Sequence, residues 1–319
     1  MHRIDRIIVG VEMPETRPWD AANLSAPTRL AVRQAFHIAT AVGAAIDLVC
    51  VLPEVTSGLF GSEQQAQAES AQAQSEAAAV LADLQQQYTK TCGEVTTELT
   101  VVTGRPWLEI LKVAQNDRHN LIICGTRNRG TVSRLLFGST GLKLLRNAAC
   151  PVWLVKPRID DDADLDVLAA TDLSEIGQDV MRLAIVLGQT LPIRLTVLHV
   201  VDDVLDRHMA RAGVPEDELA DYRRKNRDAA EATLNEQLSA TDYRTVAGGV
   251  KARVAEGPAD GCILSAIDEL DIDLLIMATS GRGGIPGMLF GNTAERLLPE
   301  VPCSILAIKP DDFVSPVQV

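Results

Sequence analysis

Aromatic residues make up only 3% of the 319-residue chain, so its cores must be built from Ala, Val, Leu and Ile. Aliphatic cores of that kind suit helices packed on a sheet. The six cysteines, Cys50, Cys92, Cys124, Cys150, Cys262 and Cys303, contain no CxxC pair, which argues against zinc. Cys50, Cys124 and Cys303 fall in apolar, strand-like runs, where reduced buried thiols are expected. No apolar run reaches membrane-spanning length. Met1-His2-Arg3-Ile4-Asp5 leads straight into a strand-like segment without a secretory apolar region. Positive charge is in deficit, and a net charge of −13 repels nucleic acid backbones and anionic membrane surfaces. The expectation is a cytoplasmic protein with no nucleic-acid partner and no membrane insertion. No Ser/His/Asp grouping and no metal-ligand spacing occurs, so neither a catalytic residue nor a metal site is assigned.

What the chain does contain is a repeat at an offset of 153 residues. Leu121-Ile122-Ile123-Cys124-Gly125-Thr126 followed by Leu136-Phe137-Gly138-Ser139-Thr140 returns as Leu274-Leu275-Ile276-Met277-Ala278-Thr279 followed by Leu289-Phe290-Gly291-Asn292-Thr293. The same offset pairs Cys150 with Cys303 and Lys156-Pro157 with Lys309-Pro310. Two copies of one module follow from this. The boundaries are residues 1–157 for the first, an acidic linker over 158–165 containing Asp160-Asp161-Asp162, 166–310 for the second, and a tail over 311–319.

Each copy alternates strand and helix signals. In the first, strands are predicted at Ile7–Val9, Ile46–Val51, Val95–Val102, Leu121–Cys124 and Val152–Val155. Pro106 suits the first turn of a helix running to Asn116. Gln64 to Gln87, rich in Ala and Gln, reads as a long solvated helix. In the second copy strands are predicted at Val167–Ala170, Leu195–Leu198, Val250–Ala255, Leu274–Met277 and Ser304–Ile308, with a charged helix from Glu216 to Leu238. Strands alternating with helices predict an α/β fold with a doubly wound parallel sheet in each copy. Ligands of such sheets sit beyond the carboxyl ends of the strands, where the strand order reverses.

Both Gly-rich segments leave the carboxyl end of a fourth strand. Gly281 and its neighbours permit close backbone approach, and Arg282 adds charge. Gly291-Asn292-Thr293 then opens a helix whose free amides favour a phosphate. The competing reading is a Gly-rich turn with an ordinary cap. Asp172, beyond the first strand of this copy, can accept hydrogen bonds from a ribose or base, or cap a helix together with Ser174. The first copy offers Gly125, Arg127, Gly138, Ser139 and Thr140, with Glu12 in the place of Asp172. The extra methylene of Glu12 shifts its carboxylate by about 1.5 Å, a carbon–carbon bond. His199 reads as a histidine bonded to backbone rather than as a catalyst.

The spacing G-x-x-G-(nine residues)-G-[S/T], with an Asp after the first strand, resembles the nucleotide-binding signature of universal stress proteins, in particular their tandem-domain bacterial members. The likeness spans almost the whole chain. It implies a five-stranded parallel sheet per domain in the order 3-2-1-4-5. It also implies ATP or AMP as ligand, alone or with Mg, and a role in the general stress response. By position it assigns Asp172 to the adenine and ribose, Val200 after the second strand as the hydrophobic wall, and Ala278, Gly281, Gly291, Asn292 and Thr293 to the phosphate segment. Ala278 replaces a glycine, which requires a negative φ there and no crowding of its Cβ. The second copy is the better candidate. The function expected is regulatory, with at most slow ATP hydrolysis. The alternative is a nucleotide-independent scaffold that binds a lipid or protein partner. The fifth strands are expected to pair within one chain as a pseudo-dimer, and a further homodimer is compatible with the sequence.

Overall fold

The computed structural model describes residues 4–54, 63–116, 120–126, 137–158, 164–279 and 290–317. The chain divides into two compact units, Asp162–Asp312 and His2–Asp161, the latter joined by Phe313–Val319. Each is an α/β module.

The first module runs β1 (Arg6–Val11), α1 (Ala26–Val42), β2 (Ala45–Leu52), α2 (Glu63–Cys92), β3 (Thr97–Thr103), α3 (Pro106–Asn116), β4 (Leu121–Gly125), α4 (Ser139–Asn147) and β5 (Val152–Val155). Its strands lie in the order β3-β2-β1-β4-β5 and every neighbouring pair is parallel. The central strands are covered on both faces, so they read as continuous apolar runs: Ile7, Ile8 and Val9 of β1 and Ile122 and Ile123 of β4 are fully buried. Ser25 caps α1 by accepting the Thr28 amide at 3.3 Å, and Gly43, at φ 73°, ends it in the left-handed conformation. α2 starts as a solvated helix and then acquires a buried stripe of Ala73, Ala77, Leu81 and Leu84, at helical spacing. Near its end Tyr88 stacks on Phe36 of α1, with ring centroids 5.4 Å apart.

The second module runs β6 (Leu165–Thr171), α5 (Glu175–Thr190), β7 (Ile193–Val201), α6 (Val204–Arg211), α7 (Glu216–Ser239), β8 (Val250–Glu256), α8 (Ala259–Glu269), β9 (Leu274–Ala278), α9 (Asn292–Leu297) and β10 (Ser304–Ile308). Its order is β8-β7-β6-β9-β10, again parallel throughout. Both modules therefore have the 3-2-1-4-5 arrangement. In each the first strand is the switch point, with the second strand on one side and the fourth on the other. α6 is a helix that the sequence pattern did not pick out, ahead of the charged α7 that it did.

Residues 313–317 pack with the first module, where Gln115 Nε2 donates to the Val317 carbonyl at 3.0 Å. Far from the switch point, the Asp47 carboxylate of β2 is buried and takes Arg6 Nη2 at 3.2 Å. Arg6 also reaches Glu98 of β3 at 3.2 Å, tying three adjacent strands together. Among the described residues no helix is long and apolar enough to cross a membrane.

Candidate functional site

In the second module the switch point lies between β6 and β9, paired from Val167–Leu274 to Ala170–Met277. Asp172 leaves the end of β6 and Ala278 closes β9, so the two flank the crevice. Val200 lies one position beyond the Thr171–His199 pair on β7. The sequence placed Val200 after the strand; the structure corrects this, because β7 continues to Val201. The β-branched run after His199 keeps pairing with β8 as far as Val201–Glu256.

Asp172 is already engaged. Its Oδ1 accepts the Ser174 amide at 3.0 Å and also the Ser174 hydroxyl. Ser174 in turn caps α5 by accepting the Gly177 amide at 3.4 Å. The turn requires Leu173 at φ 61°, a left-handed conformation that a leucine adopts at a cost of about 1–2 kcal/mol. The Thr171 hydroxyl accepts the Leu173 amide at 3.1 Å, and Gln237 Nε2 donates to the Leu173 carbonyl at 2.9 Å. A strained, fully bonded turn thus fixes the carboxylate at the mouth of the crevice. His199 Nδ1 bonds the Thr171 carbonyl at 2.9 Å; since the carbonyl accepts, the proton sits on Nδ1.

On the other side, Ala278 does not have a positive φ, so its methyl brings no left-handed strain. Gly291 donates its amide to the Thr279 carbonyl at 2.7 Å, which brings the start of α9 back to the end of β9. Thr279 is 1% exposed and is held to the end of β10: its amide reaches the Ile308 carbonyl at 3.0 Å and its hydroxyl the same oxygen at 3.3 Å. Gly291 is the N-cap of α9, and Asn292 and Thr293 form its first turn. Gly281 and Arg282 lie outside the described residues. The structure therefore collects Asp172, Val200, Ala278, Gly291, Asn292 and Thr293 at one end of three adjacent strands and the helix that follows.

The first module has a different entrance. Between β1 and α1 it carries residues 12–25, where the second module has only 172–174. Glu12 is exposed at the start of this segment. Trp19 Nε1 donates to the Pro14 carbonyl at 2.9 Å, and the Arg17 guanidinium lies 4.7 Å from the Trp19 ring centroid. Arg17 also pairs with Glu76 of α2 at 3.2 Å, tying the segment to that helix. Gly125 ends β4 against the start of α1: a Cβ on it would fall 2.6 Å from the Pro27 carbonyl carbon. Its glycine is thus explained by backbone packing. Gly138 caps α4, and Ser139 and Thr140 open it. Arg127 lies outside the described residues.

The sequence reading passed over Lys309. It is 8% exposed at the end of β10, and its ammonium lies 5.5 Å from the Phe290 ring centroid. Burial pulls its pKa down to about 8. The duplicated Lys-Pro was the available signal. Among the described residues no group of His, Cys, Asp or Glu is arranged to hold a metal ion.

A switch point beside a helix opened by a glycine recurs in both modules of this tandem α/β protein, and the second module adds a capped turn bearing Asp172. The Universal stress protein family matches the chain twice, over residues 20–156 and 166–309, and the chain belongs to it. Among its relatives, Universal stress protein E of Photorhabdus laumondii is 25% identical over 228 residues, covering 67% of this chain and 69% of that protein. Universal stress protein E of Escherichia coli K12 is 24% identical over 227 residues, covering 68% and 69%. The crystal structure of a universal stress protein from Archaeoglobus fulgidus DSM 4304 superposes with a TM-score of 0.62 at 19% identity, covering 96% of this chain and 97% of that one. At that identity the likeness concerns the fold.

Proposed function

We propose that this protein is a cytoplasmic stress-response regulator whose second module binds ATP or a related adenine nucleotide. The supporting observation is that Asp172 follows the end of β6 while Ala278 closes the adjacent β9 and Gly291 is hydrogen-bonded back to Thr279, at the carboxyl ends of the same two strands. A carboxylate stands on one side for the ribose or base. On the other side a helix opens at Gly291-Asn292-Thr293, and helix openings favour an anion. The side-chain amide of Asn292 serves where the family pattern has a hydroxyl. Family membership agrees with this reading. Gly281 and Arg282 are proposed to complete the phosphate contacts.

The first module is the weaker site. Its entrance carries residues 12–25, its carboxylate is Glu12, and Gly125 is occupied in packing against Pro27. Gly138, Ser139, Thr140 and Arg127 remain its candidate phosphate residues. Occupancy, rather than turnover, is the proposed signal.

Titration calorimetry of the full chain with ATP and AMP tests this. One binding event, abolished by changes in the second module and unaffected by changes at Glu12, is expected. A protein that gives no heat with either nucleotide, with and without Mg, is instead a nucleotide-independent scaffold.

A further inference from the structure

Residues 12–25 span the mouth of the first module's crevice. The segment leaves one wall at Glu12, just past the end of β1. It comes down on the other wall, where backbone atoms of Pro27 and Thr28 lie 2.6 to 2.8 Å from the place of a Cβ on Gly125, the last residue of β4. In between it is tied to α2, on the β2 side: Arg17 pairs with Glu76 at 3.2 Å, and the turn Ala21–Asn23 packs on the same helix. Helix geometry sets the height of that tie. Tyr88 of α2 stacks on Phe36 of α1. Counting back from this pair at about 1.5 Å per residue, α1 starts about 15 Å away and Glu76 stands about 18 Å away, so the tie lies level with the mouth.

The anchors are unequal. Ala21 and Leu24 are buried, and Arg29 Nη1 donates to the Ala22 carbonyl at 3.2 Å, so the returning half is set in the core. The outer half exposes Glu15, Thr16, Arg17 and Pro18. The Arg17 guanidinium lies 4.7 Å from the Trp19 ring centroid, and Gln72 Nε2 donates to the other oxygen of Glu76 at 2.8 Å, so both partners of the ion pair are held in place. Their side chains are nevertheless 40% and 33% exposed, and exposed ion pairs are weak and screened by salt. In the second module three residues, 172–174, join β6 to α5 at the same point.

We propose that residues 12–25 are an autoinhibitory strap: latched by Arg17 on Glu76, they shut the first module's crevice, and their release opens a second site for an adenine nucleotide. The inference rests on the crevices of this fold being adenine-nucleotide sites.

Three variants of the full chain test this. Glu76→Arg sets two cations together and breaks the latch. Arg17→Glu combined with Glu76→Arg restores it with the charges exchanged. Arg17→Ser combined with Trp19→Ser removes the latch and the ring stacked on it. Arg17, Trp19 and Glu76 all lie outside the buried core, so the fold is retained. Hydrogen exchange of residues 12–20 reads the strap, and calorimetry with saturating ATP counts the sites. In the two broken-latch variants exchange is expected to be about 2–5-fold faster, the range for an exposed ion pair, and ATP bound per chain to rise from one towards two. The charge exchange should return both to wild-type values. Exchange unchanged by either broken latch overturns the strap. So does a stoichiometry that stays at one once exchange has quickened, or a wild type that already binds two; in these cases the second module still stands as a nucleotide site. A wild type that gives no heat sinks the reading of the second module. Heat that then appears only in the broken-latch variants supports the strap, and no heat in any of them overturns both.

Discussion

Gly177 stands so close to Asp172 that a Cβ on it would fall 2.6 Å from the carboxylate Oδ1. The same Cβ would lie 2.5 Å from the Thr171 hydroxyl. Both oxygens are already bonded, to Ser174 and Leu173 respectively, so neither can move away without breaking the turn. Gly177→Ala is therefore expected to lower stability by about 1–3 kcal/mol, the usual cost of overpacking. It should weaken ATP binding as well, because the displaced group is the proposed ribose or base acceptor. Denaturant unfolding and calorimetry on one variant check both.

The carboxylates of the two modules should behave differently. Asp172→Ala is expected to reduce ATP affinity by about 10-fold or more, since a hydrogen bond to a charged group contributes about 1.5–3 kcal/mol. Glu12→Ala should leave it unchanged. Equal losses for the two variants in a titration would count against the second module as the site.

Gly125 and Ala278 occupy equivalent positions, yet the methyl that one carries should not be tolerated by the other. A Cβ at 125 meets backbone of Pro27 and Thr28 at 2.6 to 2.8 Å, and backbone cannot rotate aside. Gly125→Ala is expected to cost at least the ~3 kcal/mol at the upper end of overpacking, and Ala278→Gly under ~1 kcal/mol. Thermal unfolding of the pair gives the comparison.

Arg6 neutralises buried Asp47 at 3.2 Å. Arg6→Met would leave that carboxylate without this partner in a site 1% exposed to water, at an expected cost of about 3–5 kcal/mol. Unfolding in urea would measure it. ATP affinity should stay the same, because this pair lies away from the carboxyl ends of the strands.

Burial pushes the Cys50 and Cys124 thiols up to about 12. A raised pKa keeps the thiol protonated, so the reactive thiolate is absent at pH 8 and grows in only as pH approaches the folded value. Iodoacetamide at pH 8 should leave both unmodified in the native protein and label them once urea is added. Mass spectrometry of the digests reads the result. The linked stability follows the same sign: it is full below the unfolded pKa of 9.0 and declines as pH rises towards about 12.

Much of the fold could be read from pattern alone. The short apolar runs of β4, β5, β9 and β10 cannot be amphipathic, so they had to be strands covered on both faces. The helix from Pro106 to Asn116 starts and stops where its residues imply. Local pattern was less informative where long-range pairing sets the outcome. β7 extends through Val200 because β8 is beside it to accept the bonds, which the residues of β7 alone do not announce. Gly125 looked like a ligand-approach glycine, but its nearest neighbour is the start of α1, a contact across nearly a hundred residues of sequence. Leu173 at φ 61° runs against its own propensity and is held by Thr171 and Gln237. Lys309 carries no local sign that its head group is buried; that emerges from packing at the end of β10.

The return of residues 313–317 to the first module also bears on synthesis. Val317 meets Gln115 only after the ribosome has made the whole of the second module. The earlier half thus acquires this hydrogen bond late, and a chain stopped after residue 157 would leave this surface uncovered.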